Sequence, residues 1–219
     1  MVKIAVMAVP ERLGWARSIA KEAGGARVFI DHRHEGPWHN AKRAWSWLAT
    51  SGSEWGCLIQ DDVTLAKGFL GALERALAAV PLSCGVVSLY GSRKVLRGRE
   101  TPFYRIRDGV WGQGVALRRT AILRFMAWER RHINPAMPPH DDQRVALWLI
   151  ETGGEAWVMR PSIVDHFGDK LSTMGHRPPN PRRAADFATD ASLLSFEVKG
   201  EMPFSSGNAL KKERERYVI

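Results

Sequence analysis

The sequence predicts an α/β chain: a mixed sheet, mainly parallel in its N-terminal half, with helices between the strands. Three observations carry this. Short apolar runs alternate with stretches of helical spacing from Lys3 to Leu89, the grammar of βαβ units. Glycine and proline punctuate the junctions between them. The third apolar run ends abruptly in Asp61 and Asp62, which places two carboxylates at the carboxyl end of a strand, the ligand edge of an open α/β sheet.

Each element has a local reason. Lys3 to Ala8 is the first strand, and Pro10 suits a first helical turn. Leu13, Ala16, Ile19, Ala20 and Ala23 hold helical spacing until Gly24-Gly25 stops it. Ala26 to Ile30 is the second strand, ending in Asp31. A loop rich in His, Gly and Pro then leads to a helix from Asn40 to Ala49, marked by Ala41, Ala44, Trp45 and Leu48. Trp55 to Ile59 is the third strand. A helix from Lys67 to Val80 aligns Phe69, Leu70, Leu73 and Leu77 on one face, and Cys84 to Leu89 is the fourth strand. This order implies a parallel, doubly wound arrangement.

After Leu89 the pattern changes. Gly91 to Gly98 is a basic loop, Phe103 to Ile106 a short strand, and Val110 to Leu117 a glycine-punctuated strand before a helix at Thr120 to Arg130. Pro135 to Pro139 breaks the chain. Asp141 or Asp142 is placed to cap a helix that runs to Gly153, and Ala156 to Met159 is a last strand. Residues 1–175 are expected to form one domain. From His176 the sequence is polar and weakly periodic, and 176–219 is expected to be a tail that wraps the domain or is partly disordered.

Composition narrows the function classes. No apolar run approaches the ~20 residues needed to cross a bilayer, so no transmembrane segment is expected. Cys57 and Cys84 lie in apolar contexts, which argues for buried thiols, a reducing cytoplasm and no cysteine-ligated zinc. The formal charge is +9 over 219 residues. Between Arg93 and Arg131 there are eleven Lys and Arg against Glu100, Asp108 and Glu129, a local excess of eight. Such a block suggests an anionic partner: nucleic acid, anionic lipid headgroups or a phosphorylated glycan. A solvated basic surface is the plain alternative.

Adjacent carboxylates repel each other unless a cation lies beside them. For Asp61 and Asp62 a hard divalent ion, Mg²⁺ or Mn²⁺ holding a diphosphate, is one answer; a turn or a helix cap is the other. Here a resemblance enters. Leu58-Ile59-Gln60-Asp61-Asp62-Val63 is similar to the hydrophobic-Glu-Asp-Asp-Val motif of small lipopolysaccharide-type (family 25) glycosyltransferases. Gly112-Gln113-Gly114-Val115-Ala116-Leu117 looks like their Gly-X-X-Gly-Tyr strand. Arg160-Pro161-Ser162-Ile163-Val164-Asp165-His166-Phe167-Gly168 resembles their Pro-Ser-Leu-Val-X-His-X-Gly ending. With the element order, the chain resembles the GT-A glycosyltransferases over about Lys3 to Gly168. One departure is that Gln60 stands where an acidic residue often opens the motif.

The resemblance implies a Rossmann-like GT-A sheet and a nucleotide-sugar donor, a UDP-sugar first. It also implies a Mn²⁺ or Mg²⁺ ion on Asp62, with Asp61 as a second ligand or ribose contact and His166 as a third. Val9, Pro10 and Arg12 follow the first strand, where base, ribose or phosphate would lie. Asp31 is a base or ribose contact or a turn aspartate, and Asn40 and Lys42 open a helix whose N-terminus favours anions. Gln113, with Trp111, is placed to line the sugar pocket. Asp141 and Asp142 follow Pro138-Pro139, and one of them is expected to take the acceptor's proton, the other to cap its helix. Trp15, Trp45, Trp47, Trp128 and Trp148 are expected to pack.

The acceptor expected from charge is polyanionic. Duplex DNA carrying a hydroxymethylated base comes first, as in bacteriophage DNA modification, with the nucleotide flipped out. A lipopolysaccharide core is second. A nucleotidyltransferase would need a phosphate loop that Val9-Pro10-Glu11 does not supply. A non-enzymatic nucleic-acid binder leaves both acidic pairs without purpose.

Overall fold

In a computed structural model of the chain the described residues are 1–91, 101–107, 109–134, 136–137, 140–167, 183–198, 202, 204–205 and 218. β1 (Val2–Ala8) leads through a 3-10 turn (Pro10–Arg12) into α1 (Leu13–Glu22) and β2 (Arg27–Ile30). α2 (Pro37–Thr50), β3 (Trp55–Gln60), β4 (Val63–Leu65), α3 (Phe69–Ala79) and β5 (Val86–Ser88) follow. The second half contains β6 (Phe103–Ile106), β7 (Gly114–Arg118), α4 (Arg119–His132), α5 (Asp141–Thr152), β8 (Ala156–Met159), β9 (Val164–His166) and β10 (Phe204–Ser205).

The main sheet runs β10-β6-β8-β5-β7-β3-β1-β2, and β4 pairs with β9 in a separate two-stranded ribbon. β1 is parallel to both β2 and β3, and β5 is parallel to β8. β7 is antiparallel to β3 on one side and to β5 on the other. The expected alternation therefore holds for the first three strands, but the fourth does not lie beside the third. β7 separates them because Gly114 to Leu117 are buried, a pattern that suits a central strand rather than an edge.

Strand residues alternate between two cores, as the two-residue period of a pleated sheet requires. Ile4, Val6, Cys57 and Ile59 point to the layer of α1 and α3. Ala5, Met7, Leu58, Val115 and Leu117 point to the layer of α2, α4 and α5. A side chain such as Ile59 or Leu117, removed wholly from water, contributes about 1.5–3 kcal/mol. Residues 187–198 also lie on the first layer, where Arg75 donates to the carbonyls of Ala191, Ser192 and Leu194.

Two boundaries differ from expectation for local reasons. α2 begins at Pro37 rather than Asn40, because Gly36 adopts φ 99° and Pro37 is pre-set for a first helical turn. Asp141 and Asp142 are inside the first turn of α5, with His140 in the cap position. The ribbon strand β4 had no forecast, being only three residues long and paired with a segment about 100 positions away.

Candidate active site at the carboxyl edge of the sheet

Chain reversal at β1 makes the site. β1 connects outward to β2 through α1 and returns past itself to β3 through α2, and the two helices lie on opposite faces. A crevice opens at such a switch point. The strands end together there: Ala8 is in register with Ile30, and Met7 with Gln60. Met7, Ala8, Val9, Arg12, Asp31, His34, Gly36, Pro37, Asn40, Gln60, Asp61 and Asp62 line the resulting cleft of about 170 Å³.

Asp61 and Asp62 lie at its floor, and a cation already bridges them. Arg12, only 5% exposed, places Nη1 2.9 Å from Asp61 Oδ1 and 3.0 Å from Asp62 Oδ2. The Val9 amide donates to Asp61 Oδ2 at 3.0 Å. The β4–β9 ribbon, which pairs Val63 with His166, sets His166 Nε2 3.4 Å from Asp62 Oδ2. Burial raises the Asp61 pKa, and the Val9 amide and Arg12 offset that only in part. Burial would raise Asp62 too, but the hydrogen bond and charge of His166, followed by those of Arg12, hold it below the ordinary carboxylate range.

The other donor-side residues divide. Asp31 accepts from the amides of Glu35 and Gly36, at 3.0 and 2.9 Å, so its carboxylate fixes the 31–36 loop as an Asx turn does. Asn40 donates through Nδ2 to the carbonyls of Ala8 and Phe29, tying β1 to β2. Pro10 shapes the 3-10 turn. Lys42 faces away, with its ammonium 3.9 Å from Glu129 rather than in the cleft. The structure thus brings Val9, Arg12, Asp31, Asn40, Asp61 and Asp62 to one cleft and leaves Lys42 outside it.

Across β7 the site continues. Gly112 and Gln113 precede β7 beside the end of β3, and the Gln60 backbone amide donates to the Gln113 carbonyl. A Cβ on Gly112 would lie 2.5 Å from Gln60 Nε2 and 3.5 Å from Asp141 Oδ2. The Gln60 side-chain amide and the Asp141 carboxylate therefore flank the same bare Cα, and a side chain there would displace the Gln60 amide. Burial, then the charge of Asp142, and further the charge of Asp62 push Asp141 up to about 8, so it holds its proton at neutral pH. Trp111 sits edge-on to Tyr90, with centroids 6.1 Å apart.

Among the described residues, Asn40 Oδ1, Asp62 Oδ1 and Gln113 Oε1 are buried acceptors without a hydrogen-bond partner, and Asn40 and Asp62 both line the cleft. Unsatisfied buried oxygens are costly, so each is a candidate acceptor for a ligand's donor.

Sequence reading missed three features. The bridging role of Arg12 carries no signal beyond its place just after the first strand. Glu129 and Arg144 form a buried pair at 2.8 Å, with Arg144 also bonded to the Met137 carbonyl and 4.9 Å above the Trp38 ring. It joins α4 to the first turns of α5, and no local pattern announces it. Trp15, expected to pack, is 41% exposed and edge-on to Phe167 at 5.2 Å. Gly168, Pro138 and Pro139 lie outside the described residues, as do Arg93, Lys94, Arg97 and Arg99 of the basic block.

The described part of that block does not form one surface. Arg118 pairs with Glu54, bonds the Cys84 carbonyl and covers Trp55, at the far end of β3 from Asp61. Arg105 bonds Glu155 and the Met202 carbonyl. Arg124, Arg130 and Arg131 are exposed on α4.

The residues present do not fit a divalent ion as they are arranged. Mg²⁺ and Mn²⁺ in substrate sites are held by one or two carboxylates, with waters and phosphate oxygens completing the octahedron. Here the Arg12 guanidinium already sits between both carboxylates, where it would repel such an ion, with the Val9 amide on Asp61 and His166 facing Asp62. Among the described residues no three His, Cys, Asp or Glu side chains gather to hold a metal.

No family model and no curated protein matches the sequence. Solved structures share part of its course at low identity. A197 from STIV is 14% identical, covering 75% of this chain and 85% of that one, with a TM-score of 0.47. A Drosophila β-1,4-galactosyltransferase 7 variant, in complex with manganese, UDP-Gal and xylobiose, is 10% identical over 81% of this chain and 77% of that one, TM-score 0.45. Mannose-1-phosphate geranyltransferase from Thermus thermophilus is 16% identical over 72% of this chain and 73% of that one, TM-score 0.40. No helix among the described residues is long and apolar enough to cross a membrane.

Proposed function

We propose that the chain is a GT-A-type glycosyltransferase that moves a sugar from a nucleotide donor, a UDP-sugar first, to an acceptor hydroxyl. One observation carries the reading: a cleft of about 170 Å³ at the β1–β3 switch point borders, across Gly112, a buried carboxyl group that feels the charge of Asp62. Donor recognition and proton acceptance are the two things a sugar transfer needs side by side.

In this reading the donor's nucleotide occupies the cleft between Val9 and Asn40, and its diphosphate lies toward Arg12. Asp141, once ionised, accepts the proton of the acceptor hydroxyl. The freed oxygen bonds to the anomeric carbon, and the bond from that carbon to the diphosphate oxygen breaks. The nucleoside diphosphate leaves with the electron pair. Gln113 lines the sugar side, and Asp142 stays with the helix as a contributor to its favourable N-terminal charge.

The charge excess supports a polyanionic acceptor. Arg124, Arg130 and Arg131 supply exposed cations on α4, which packs against α5. DNA with hydroxymethylated pyrimidines is the first acceptor to test and lipopolysaccharide the second. The experiment is incubation of the purified chain with a panel of nucleotide sugars, reading nucleoside diphosphate release with each acceptor. Release that depends on one donor and one acceptor, and vanishes in Asp141→Asn, supports the proposal. No release from any donor defeats it.

A further inference from the structure

The acidic pair of this site is neutralised from within. Two carboxylates one residue apart, both buried, repel each other strongly where the dielectric is low. The chain meets that repulsion with Arg12, whose Nη1 lies 2.9 Å from one carboxylate and 3.0 Å from the other. Bridging contacts of this kind are charge-assisted hydrogen bonds, about twice as strong as neutral ones.

The geometry accounts for every oxygen but one. Asp61 Oδ2 takes the Val9 amide, and Asp61 Oδ1 takes Arg12. Asp62 Oδ2 takes Arg12 and faces His166. Asp62 lines the cleft, and its Oδ1 is buried without a hydrogen-bond partner among the described residues. A single acceptor atom suits one hydroxyl donor, and a divalent ion placed there would lie against the Arg12 guanidinium that already holds both carboxylates. The backbone reinforces the arrangement: Arg12 is delivered by the Pro10–Arg12 turn, whose own closing bond runs from the Arg12 amide to the Val9 carbonyl. Val9 thus binds Asp61 through its amide and Arg12 through its carbonyl, so the turn and the acidic pair hold each other in place.

We propose that the guanidinium of Arg12 is the resident cation of this site. Nucleoside diphosphate then binds without a divalent metal, and Asp62 Oδ1 accepts from a donor hydroxyl. This rests on the donor-site reading above, but its first test does not.

That test is Mn²⁺ binding to the full chain without nucleotide, followed by electron paramagnetic resonance of free Mn²⁺. Wild type is expected to take up none saturably. Arg12→Met removes the charge and keeps the stem, and is expected to gain Mn²⁺ uptake that Arg12→Met/Asp62→Asn loses. Arg12→Lys, which keeps the charge, is expected to behave as wild type. Saturable Mn²⁺ binding by wild type that disappears in Asp62→Asn overturns the proposal, and this arm decides even where Arg12→Met does not fold.

The second test is UDP binding by calorimetry, in EDTA and in Mn²⁺. Wild type is expected to bind equally in both, whereas Arg12→Met in EDTA binds roughly tenfold more weakly or worse, the scale of one lost charge-assisted contact. Binding that requires Mn²⁺ overturns the proposal. If UDP and the other nucleoside diphosphates fail to bind under either condition, the donor-site reading fails, while the Mn²⁺ result still decides the role of Arg12.

Discussion

The chain contains two Asp-Asp dipeptides at the same edge of its sheet, and the fold treats them in opposite ways. Asp61-Asp62 receives a buried guanidinium and an imidazole, and Asp62 is held below the usual carboxylate range. Asp141 is buried beside Asp142, is reached by the charge of Asp62, and makes no ion pair among the described residues. Identical dipeptides thus become an ionised anchor and a proton-holding acid. Environments that push equivalent carboxyl groups apart are how a fold divides acid–base work.

The contrast is sharpest in catalysis. Asp141→Asn removes the proposed base without altering size and is expected to lower kcat about 10²–10⁴-fold, with KM for the donor little changed. A rate close to wild type would falsify the assignment. Arg144→Ala tests whether the acid end depends on its hidden scaffold. Breaking a buried pair leaves Glu129 with only the more distant Lys42 ammonium, at 3.9 Å, so up to about 3–5 kcal/mol of stability should disappear from urea unfolding. A change near zero would mean that solvent reaches Glu129 and the pair does not hold α5.

The pH dependence separates the two dipeptides directly. Because a base must be ionised, the transfer rate should rise about tenfold per pH unit and level off near the Asp141 value of about 8. Stability should run the other way. The folded-state pKa is raised, so the contribution is fully present below the unfolded value of about 3.9 and is lost as pH rises through about 8. The slope is at most about 1.4 kcal/mol per pH unit. Thermal melts of wild type and Asp141→Asn across this window check it; parallel curves would count against a buried, protonated Asp141. The smallest effect is expected at Asp31→Ala, which frees the Glu35 and Gly36 amides. A loss of roughly 1–3 kcal/mol, with KM affected more than kcat, would mark it as a loop anchor.

How much of this the sequence disclosed follows from the range of each cause. β1, β2, β3 and their helices were legible because apolar spacing and Gly-Gly or Gly-Pro punctuation act locally. The position of Asp61 and Asp62 at a strand end followed from the same local pattern. The insertion of β7 between β3 and β5 was not legible, since Ile59 meets Gly114 through pairing across 55 positions that no short window reports. Nor was the partner of the acidic pair. Charge repulsion at Asp61-Asp62 called for a cation, and the sequence reading supplied it from outside as a divalent ion, with Arg12 expected on phosphate instead. Only the folded path of the Pro10–Arg12 turn brings Arg12 onto the pair. Lys42 shows a related error: the helix was read three residues late, so Lys42 is not at its N-terminus, and its ammonium turns to Glu129 of α4 rather than to the cleft.

The late arrival of β7 also bears on how this molecule comes off the ribosome. Among the described residues β5 pairs with β7 and β8, and β3 shows β7 its outer side, so a nascent chain of 91 residues has both strands with bare flanks. Bare flanks recruit other chains. Translation must continue through Arg118 to cover β3 and one side of β5, and through Met159 to cover the other, so a fragment cut after residue 91 should precipitate rather than fold.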